Sequence, residues 1–381
     1  MHGIRSLWGG LLVVAVLSAC GPAGAPPAPS SAGQASAPAP AAAPEAPAAP
    51  AAAPAATAVA PLSPPVHVRI GTLPTLALAP FVLAEVRGYF AEEGIEVEYL
   101  SFDSGARQVA PLAAGQLDVG QGSHSAGLFN ALGSGVDLKI VAGNGTLIPG
   151  RSTSQIVARK DLVDAGFKGG ADLRGRSLAF TAAGSTVHIN VMRYLDLNGV
   201  RPDEVSLVEL GQADMNPALL NGAIDIANQT EPYVTAGIEQ GYLVRLAGVA
   251  DYYPDREVSV MMYGRSFADQ QPEAARRFMV AYLRGVRTYE DALAKNIDRE
   301  AVLDLLIERL PWKDRTLYDR MWANGTLLYI NPDGHPSTES IAWDQDWMVR
   351  SGMVRTPIDL QRVIDTQYVE YALSRIGPYA R

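Results

Sequence analysis

From Val66 onward, short apolar runs alternate with segments of helical period, the pattern of a chain that lays strands side by side and returns over them with helices. The runs predict strands at Val66–Thr72, Ile95–Phe102, Leu117–Gly120 and Lys139–Gly143, with helices near Pro80–Glu93, Gly105–Ala114 and Ser125–Leu132 between them. A second series predicts strands at Ser177–Thr181, Val205–Leu210, Ile224–Asn228 and Leu243–Leu246, and helices near Thr186–Leu197, Asp214–Leu220 and Pro232–Gln240. From Val258 the pattern changes. One returning strand, Val258–Gly264, precedes helices at Pro272–Lys295, Arg299–Arg309, Asp314–Trp322, Ser337–Ser351 and Asp359–Ser374. This helical region is expected to close onto the first series and leave the second as an inserted lobe.

The two series share a register. Leu112-Ala113-Ala114-Gly115-Gln116-Leu117-Asp118-Val119 matches Leu219-Leu220-Asn221-Gly222-Ala223-Ile224-Asp225-Ile226 at a constant offset of 107. Upstream, Tyr89-Phe90 ahead of Gly94 answers Tyr194-Leu195 ahead of Gly199 at an offset of 105. Two copies of one strand–helix–strand unit imply an α/β protein of two lobes with a cleft between them.

Composition removes the N-terminal part from the fold. Residues 21–65 hold 20 Ala and 13 Pro and one charge, Glu45, too little branched apolar surface to make a core. Residues 66–381 suffice for two lobes of ordinary size. A net charge of −9, with no basic run interleaved with aromatics, argues against nucleic acid as a partner. The single cysteine, Cys20, precedes the foldable part, so disulfides, thiol nucleophiles and Cys-ligated zinc are not expected there. His67, His124, His188 and His335 show none of the short spacings that hold a metal, and neither metal nor cofactor is expected.

Met1–Trp8 carries Arg5, and Leu11–Leu17 is an apolar run too short to span a bilayer, which reads as a signal peptide over residues 1–19. Its end, Leu17-Ser18-Ala19-Cys20-Gly21, resembles the lipobox of bacterial lipoproteins, which implies lipid attachment at Cys20. Residues 20–65 would then tether a body at the extracytoplasmic face of the cell membrane, the repeated Pro biasing the tether toward extended polyproline II.

The foldable part resembles the periplasmic substrate-binding proteins of ABC importers for nitrate, sulfonates, taurine, thiamine-pyrimidine precursors and riboflavin. The resemblance rests on Ile70-Gly71, Pro80-Phe81, Gly88-Tyr89-Phe90 and Glu93-Gly94-Ile95, on Gly115-Gln116-Leu117-Asp118-Val119-Gly120, on Asp172-Leu173-Arg174-Gly175-Arg176-Ser177, and on Ala223-Ile224-Asp225 with Glu231-Pro232-Tyr233. Thr230 stands where many relatives carry an aromatic. The resemblance implies a two-lobed, type II-like periplasmic-binding-protein fold: a first lobe over residues 66–163 and 257–381, a second over residues 164–256, and hinges near 160–170 and 250–260. It also implies a permease and its ATPase as membrane partners, and binding without catalysis.

In open α/β sheets ligands sit beyond the C-terminal ends of strands. The candidate ligand-binding residues there are Pro74, Thr75, Leu76, Gln121, Ser123, His124, Asn144, Thr181, Gly184, Ser185, Thr186, Asp214, Asn228, Glu231 and Tyr233. Ser185 and Asp214 read equally as helix caps. None of these segments contains Lys or Arg, although Arg107 and Arg151 lie near in sequence. Acceptors Asp214 and Glu231, with Gln155, Asn190, Gln212 and Gln229 in reach, favour a ligand rich in N–H and O–H, and Tyr233, Tyr252, Tyr253 and Tyr263 offer stacking faces. The expectation is a nitrogen heterocycle with hydroxyls, riboflavin first and a thiamine-type pyrimidine second. The alternatives are an anion of the sulfonate, taurine or nitrate kind and, more remotely, an enzyme like the thiamine-pyrimidine synthases using His124, His188 and Glu231 as acid and base.

Overall fold

The computed structural model describes residues 59–380; the expected signal peptide, Cys20 and most of the Ala/Pro tract lie outside the described residues. The chain forms strands β1 (Val66–Thr72), β2 (Ile95–Ser101), β3 (Val119–Gly122), β4 (Leu138–Leu147) and β5 (Ser154–Arg159). There follow β6 (Ser177–Phe180), β7 (Ser206–Glu209), β8 (Ile226–Thr230), β9 (Leu243–Gly248) and β10 (Arg256–Gly264). They make two five-stranded sheets of matching order, β2-β1-β3-β10-β4 and β7-β6-β8-β5-β9. In each, the fourth strand is antiparallel to both neighbours and comes from the chain as it crosses over from the other sheet. The crossovers are residues 148–153 and 249–255.

The internal repeat has a structural cause. Ile70 pairs with Val119 in the first sheet and Leu178 with Ile226 in the second, so the two parallel cores superpose in register. The repeated aspartate pins both. Asp118 Oδ2 accepts from the backbone N–H of Arg69 at 2.8 Å, and Asp225 Oδ2 from that of Ser177 at 3.0 Å. Each also binds an arginine, Arg69 and Arg159 respectively. The Gly-x-x-Asp motif therefore fixes strand register through charge-assisted bonds and belongs to the fold.

Apolar residues cover both faces of the second sheet: Ile156, Leu178 and Ile226 pack with Val191 and Leu195, while Val157, Ala179 and Ala227 pack with Met215 and Leu219. The first lobe is larger because the long helix Pro272–Lys295 lies on it, setting Phe278 and Tyr282 against Phe81, the Phe81 and Tyr282 ring centroids 4.9 Å apart. At the crossing a Cβ on Gly285 would come 2.1 Å from the Pro80 carbonyl, so only glycine permits this approach.

Three boundaries differ from the sequence expectation. Ser154–Arg159, expected in the first lobe, is the fourth strand of the second sheet, so the chain enters that sheet near 154, ahead of the expected boundary at 164 and hinge at 160–170. The expected helix Pro80–Glu93 is two pieces, Ala79–Val86 and Tyr89–Glu92. The expected helix Asp359–Ser374 also breaks, at Ile364, which bridges to Ile140, while Asp365 donates to the Ile140 carbonyl at 2.8 Å. The C-terminal helices pack mainly on the first lobe but reach the second: Arg320 pairs with Glu239 at 3.0 Å, and Trp312 meets Tyr233 edge-on at 6.3 Å. Residues 59–65 join the fold, with Leu62 donating to the Glu93 carbonyl.

Candidate ligand cleft

The C-terminal ends of the parallel strands in both sheets point toward the crossovers, so loops from the two lobes face one another. Serine caps start the helices on each side. Ser125 Oγ accepts from Leu128 N at the head of Ala126–Gly133, and Ser185 Oγ accepts from His188 N at the head of Thr186–Leu197. The lobes touch where these helices begin. Ser123 Oγ and Thr186 Oγ1 lie 3.2 Å apart, and Ala126 N donates to the Gly184 carbonyl at 2.9 Å. A Cβ on Gly184, whose φ is +69°, would stand 2.6 Å from Ala126 Cβ, so this contact also depends on glycine.

A buried charge cluster stands behind that seam. Arg256, at the second crossover, is fully buried; it pairs with Asp344, donates to the Thr186 carbonyl at 3.1 Å and stacks 4.4 Å over Tyr253. Asp344 also takes His124 Nε2 at 2.6 Å and the Tyr253 hydroxyl at 3.1 Å. Burial alone would raise the Asp344 carboxyl, but the guanidinium and the histidine bond outweigh it and hold it below its ordinary range. His188 is stacked on Phe180 at 4.5 Å and edge-on to Trp347 at 5.6 Å, and burial pushes its pKa down to about 4.

Each lobe carries an uncharged polar network at its strand ends. In the first, Gln121 exchanges two 3.0 Å bonds with Gln108, and Asn144 donates to Gln121 at 2.8 Å and accepts from Tyr282 at 2.8 Å. In the second, Asn228 donates to Ser154 Oγ and to the Gln155 carbonyl and accepts from Asn190. On the opposite sheet face Gln229 reaches the Gln212 carbonyl at 3.2 Å. Glu231 spends both oxygens on its own helix, accepting from Thr235 N and Thr235 Oγ1 at 3.0 Å each. Burial raises its carboxyl, against those bonds and one from Thr326.

The expected site residues thus separate into groups. Ser123, Gly184 and Thr186 meet across the lobes, with Thr181 and Ser185 linked beside them at 3.4 Å. Gln121, Asn144 and Asn228 sit fully buried in the two networks. His124 is committed to Asp344, Leu76 is a core residue, Thr75 precedes a short 3-10 turn, and Pro74 and Asp214 are exposed. Tyr233 is half-buried, whereas Tyr263 is fully buried with its hydroxyl on the Ala275 carbonyl. Arg107 is exposed beside Asp103, and Arg151 is held by Glu290 at 2.6 and 3.1 Å. Sequence reasoning missed Arg256, Asp344 and Glu257. One signal was present: Ile341, Asp344, Gln345 and Met348 form one helical stripe, all buried, with a carboxylate at its centre.

Two sheets of one strand order, two crossovers between them and polar strand ends facing across the gap define the two-lobed fold of periplasmic binding proteins. Residues 76–294, more than half of the chain, match the family model described as NMT1/THI5 like, and the chain belongs to that family. A Bacillus subtilis (strain 168) protein named for the binding of aliphatic sulfonates is 24% identical over 316 residues, covering 80% of this chain and 88% of its own. The riboflavin-binding protein RibY of Chloroflexus aurantiacus is 23% identical over 322 residues, covering 80% and 86%. Among solved structures, the periplasmic nitrate-binding protein NrtA from Synechocystis PCC 6803 superposes with a TM-score of 0.67 at 17% identity, over 81% of this chain and 89% of that one. Among the described residues no helix is long and apolar enough to cross a membrane, and no group of acidic, His or Cys residues is placed to hold a metal.

Proposed function

We propose that this protein is the ligand-capturing component of an ABC importer, delivering to a permease and its ATPase, and that its ligand is an uncharged nitrogen heterocycle bearing hydroxyls. Riboflavin and a thiamine-type pyrimidine are the two candidates. The observation that carries the ligand class is the commitment of the arginines near the cleft. Arg151 is taken by Glu290 and Arg256 by Asp344, Arg107 lies exposed in a surface pair with Asp103, and the strand ends carry carboxamides and hydroxyls. An anion would have to rely on backbone N–H groups and helix starts alone. The anion reading, for a sulfonate or nitrate, draws support from the Bacillus and Synechocystis relatives. Binding rather than turnover is supported by the commitment of His124 to Asp344 and of His188 to its aromatic stack. Native mass spectrometry of protein purified without refolding tests the proposal. A retained heterocycle at one per chain is expected; a retained sulfonate or nitrate would favour the other reading. A lipid anchor at Cys20 completes the proposal: Cys20→Ser is expected to move the protein from the membrane to the soluble fraction with ligand affinity unchanged, and a mutant that stays membrane-bound contradicts it.

A further inference from the structure

The two lobes are joined across the cleft by groups that all belong to the chain. Ala126 N donates to the Gly184 carbonyl at 2.9 Å, Ser123 Oγ lies 3.2 Å from Thr186 Oγ1, and Arg256 Nη2 donates to the Thr186 carbonyl at 3.1 Å. Trp347, on a helix packed against the first lobe, meets His188 of the second edge-on at 5.6 Å. These groups are buried: Arg256 is 0% exposed, Thr186 2%, His188 5% and Ala126 7%.

Two of these bonds resist parting. Arg256 has Asp344 on its own side of the seam, and its donation to Thr186 is a charge-assisted bond in a buried place, stronger than a neutral one. Ala126 is the first residue of the helix Ala126–Gly133, so its N–H has no acceptor within that helix, and the other lobe supplies one. With no side chain at Gly184 the lobes meet backbone on backbone, which sets how far the cleft can shut. A second tie stands elsewhere. Trp312, Arg320 and Thr326 of the C-terminal region meet Tyr233, Glu239 and Glu231 of the second lobe. The exposed Arg320–Glu239 pair contributes little by itself, but the second lobe is thereby held at two of its helices, Thr186–Leu197 and Tyr233–Glu239.

We propose that these contacts hold the cleft shut as the resting state of the chain, with the Gly184–Ala126 seam as the stop, so that ligand enters only during excursions that part the seam. Closure is then a property of the chain, and ligand fills a cleft that shuts with or without it. The inference concerns the lobes and applies equally to a heterocycle and an anion, so its failure would leave the ligand reading above untouched.

Hydrogen exchange of the full chain, dialysed until native mass spectrometry shows no small molecule retained, tests this at a single amide. The Ala126 N–H of the wild type is expected to exchange at least about a hundredfold more slowly than its free rate, the protection that follows when the seam is closed about 99% of the time. In Gly184→Ala the new methyl would stand 2.6 Å from Ala126 Cβ, so the lobes cannot meet there. Exchange at Ala126 is then expected to rise to within about tenfold of the free rate, while amides of the paired strands β1 and β8 keep their protection. Ala126→Gly/Gly184→Ala removes the clash and is expected to restore protection at position 126. Free exchange of Ala126 in the dialysed wild type, with β1 and β8 protected, would overturn the resting closure, and that measurement needs no variant to fold. Protection retained in Gly184→Ala would overturn the seam as the stop. So would a loss that persists in the double variant, because it would trace to the strained backbone at position 184 and not to the contact.

Discussion

Asp344→Asn is the most exposing perturbation of this structure, because one fully buried carboxylate serves three donors. Asp344 and Arg256 are both fully buried and paired, and Asp344 also accepts from His124 Nε2 at 2.6 Å and Tyr253 Oη at 3.1 Å. Asparagine keeps the shape and one acceptor but removes the charge, leaving a buried guanidinium uncompensated. Breaking such a pair costs about 3–5 kcal/mol. With an unfolding entropy of about 2.1 cal/mol/K per residue over a folded body of roughly 320 residues, that corresponds to a fall in Tm of roughly 4–7 °C. Arg256→Met removes the other partner. If the pair is coupled as the geometry indicates, the double variant Arg256→Met/Asp344→Asn should be less destabilised than the sum of the singles by at least about 2 kcal/mol. Differential scanning calorimetry of the four proteins at one pH measures both quantities. Additive singles and double, or Asp344→Asn melting within a degree of the wild type, would refute the buried pair.

Glu257 is fully buried, with Ser337 N donating to it at 2.9 Å, and burial raises its carboxyl to about 8. A raised carboxyl makes folding less favourable as pH rises from the ordinary carboxylate range toward 8, so Glu257→Gln should flatten that slope and raise Tm above pH 8 by the equivalent of a few kcal/mol; a slope the substitution leaves unchanged contradicts the burial. His188 works in the opposite sense. Its pKa is lowered to about 4, so the stability it supports is present above its ordinary value near 6.5 and is lost as pH falls toward 4, by on the order of 3 kcal/mol, and His188→Phe should melt with less acid sensitivity in that window. Glu231→Ala removes both bonds to Thr235 and should cost about 1–2 kcal/mol of stability while ligand affinity stays within about threefold; a 30-fold loss of affinity would mean that the carboxylate touches the ligand.

The architecture was legible because the features that encode it are local. Apolar runs marked nine of the ten strands, and the repeat at offset 107 reported a common register whose physical basis is the Asp118 and Asp225 clasps. Strand β5 was missed because Ser154-Gln155-Ile156-Val157-Ala158-Arg159 is short and opens on two polar residues, and because its place between β8 and β9 is set by pairing across some 70 to 90 residues. The expected site residues come from strand ends, and the structure brings Ser123, Gly184 and Thr186 together across the lobes. What each side chain does there was not legible: Ser185 and Glu231 have the composition of ligand contacts and are spent on helix starts. Arg256 and Asp344 are 88 residues apart and meet only when the second crossover packs under the helix Thr338–Arg350, so the absence of cations from the strand-end segments overlooked a guanidinium bonded to Thr186 itself.

Capture of one uncharged heterocycle per chain, without its transformation, is the proposed role of this two-lobed protein. Isothermal titration calorimetry of the purified chain against riboflavin, the thiamine aminopyrimidine and taurine, with the ligand recovered afterwards and its mass measured, decides whether it has that role. Saturable binding of a heterocycle at a stoichiometry of one, its recovery unchanged, and no heat with taurine are expected. Saturable binding of taurine with neither heterocycle bound, or recovery of a chemically altered ligand, would contradict it.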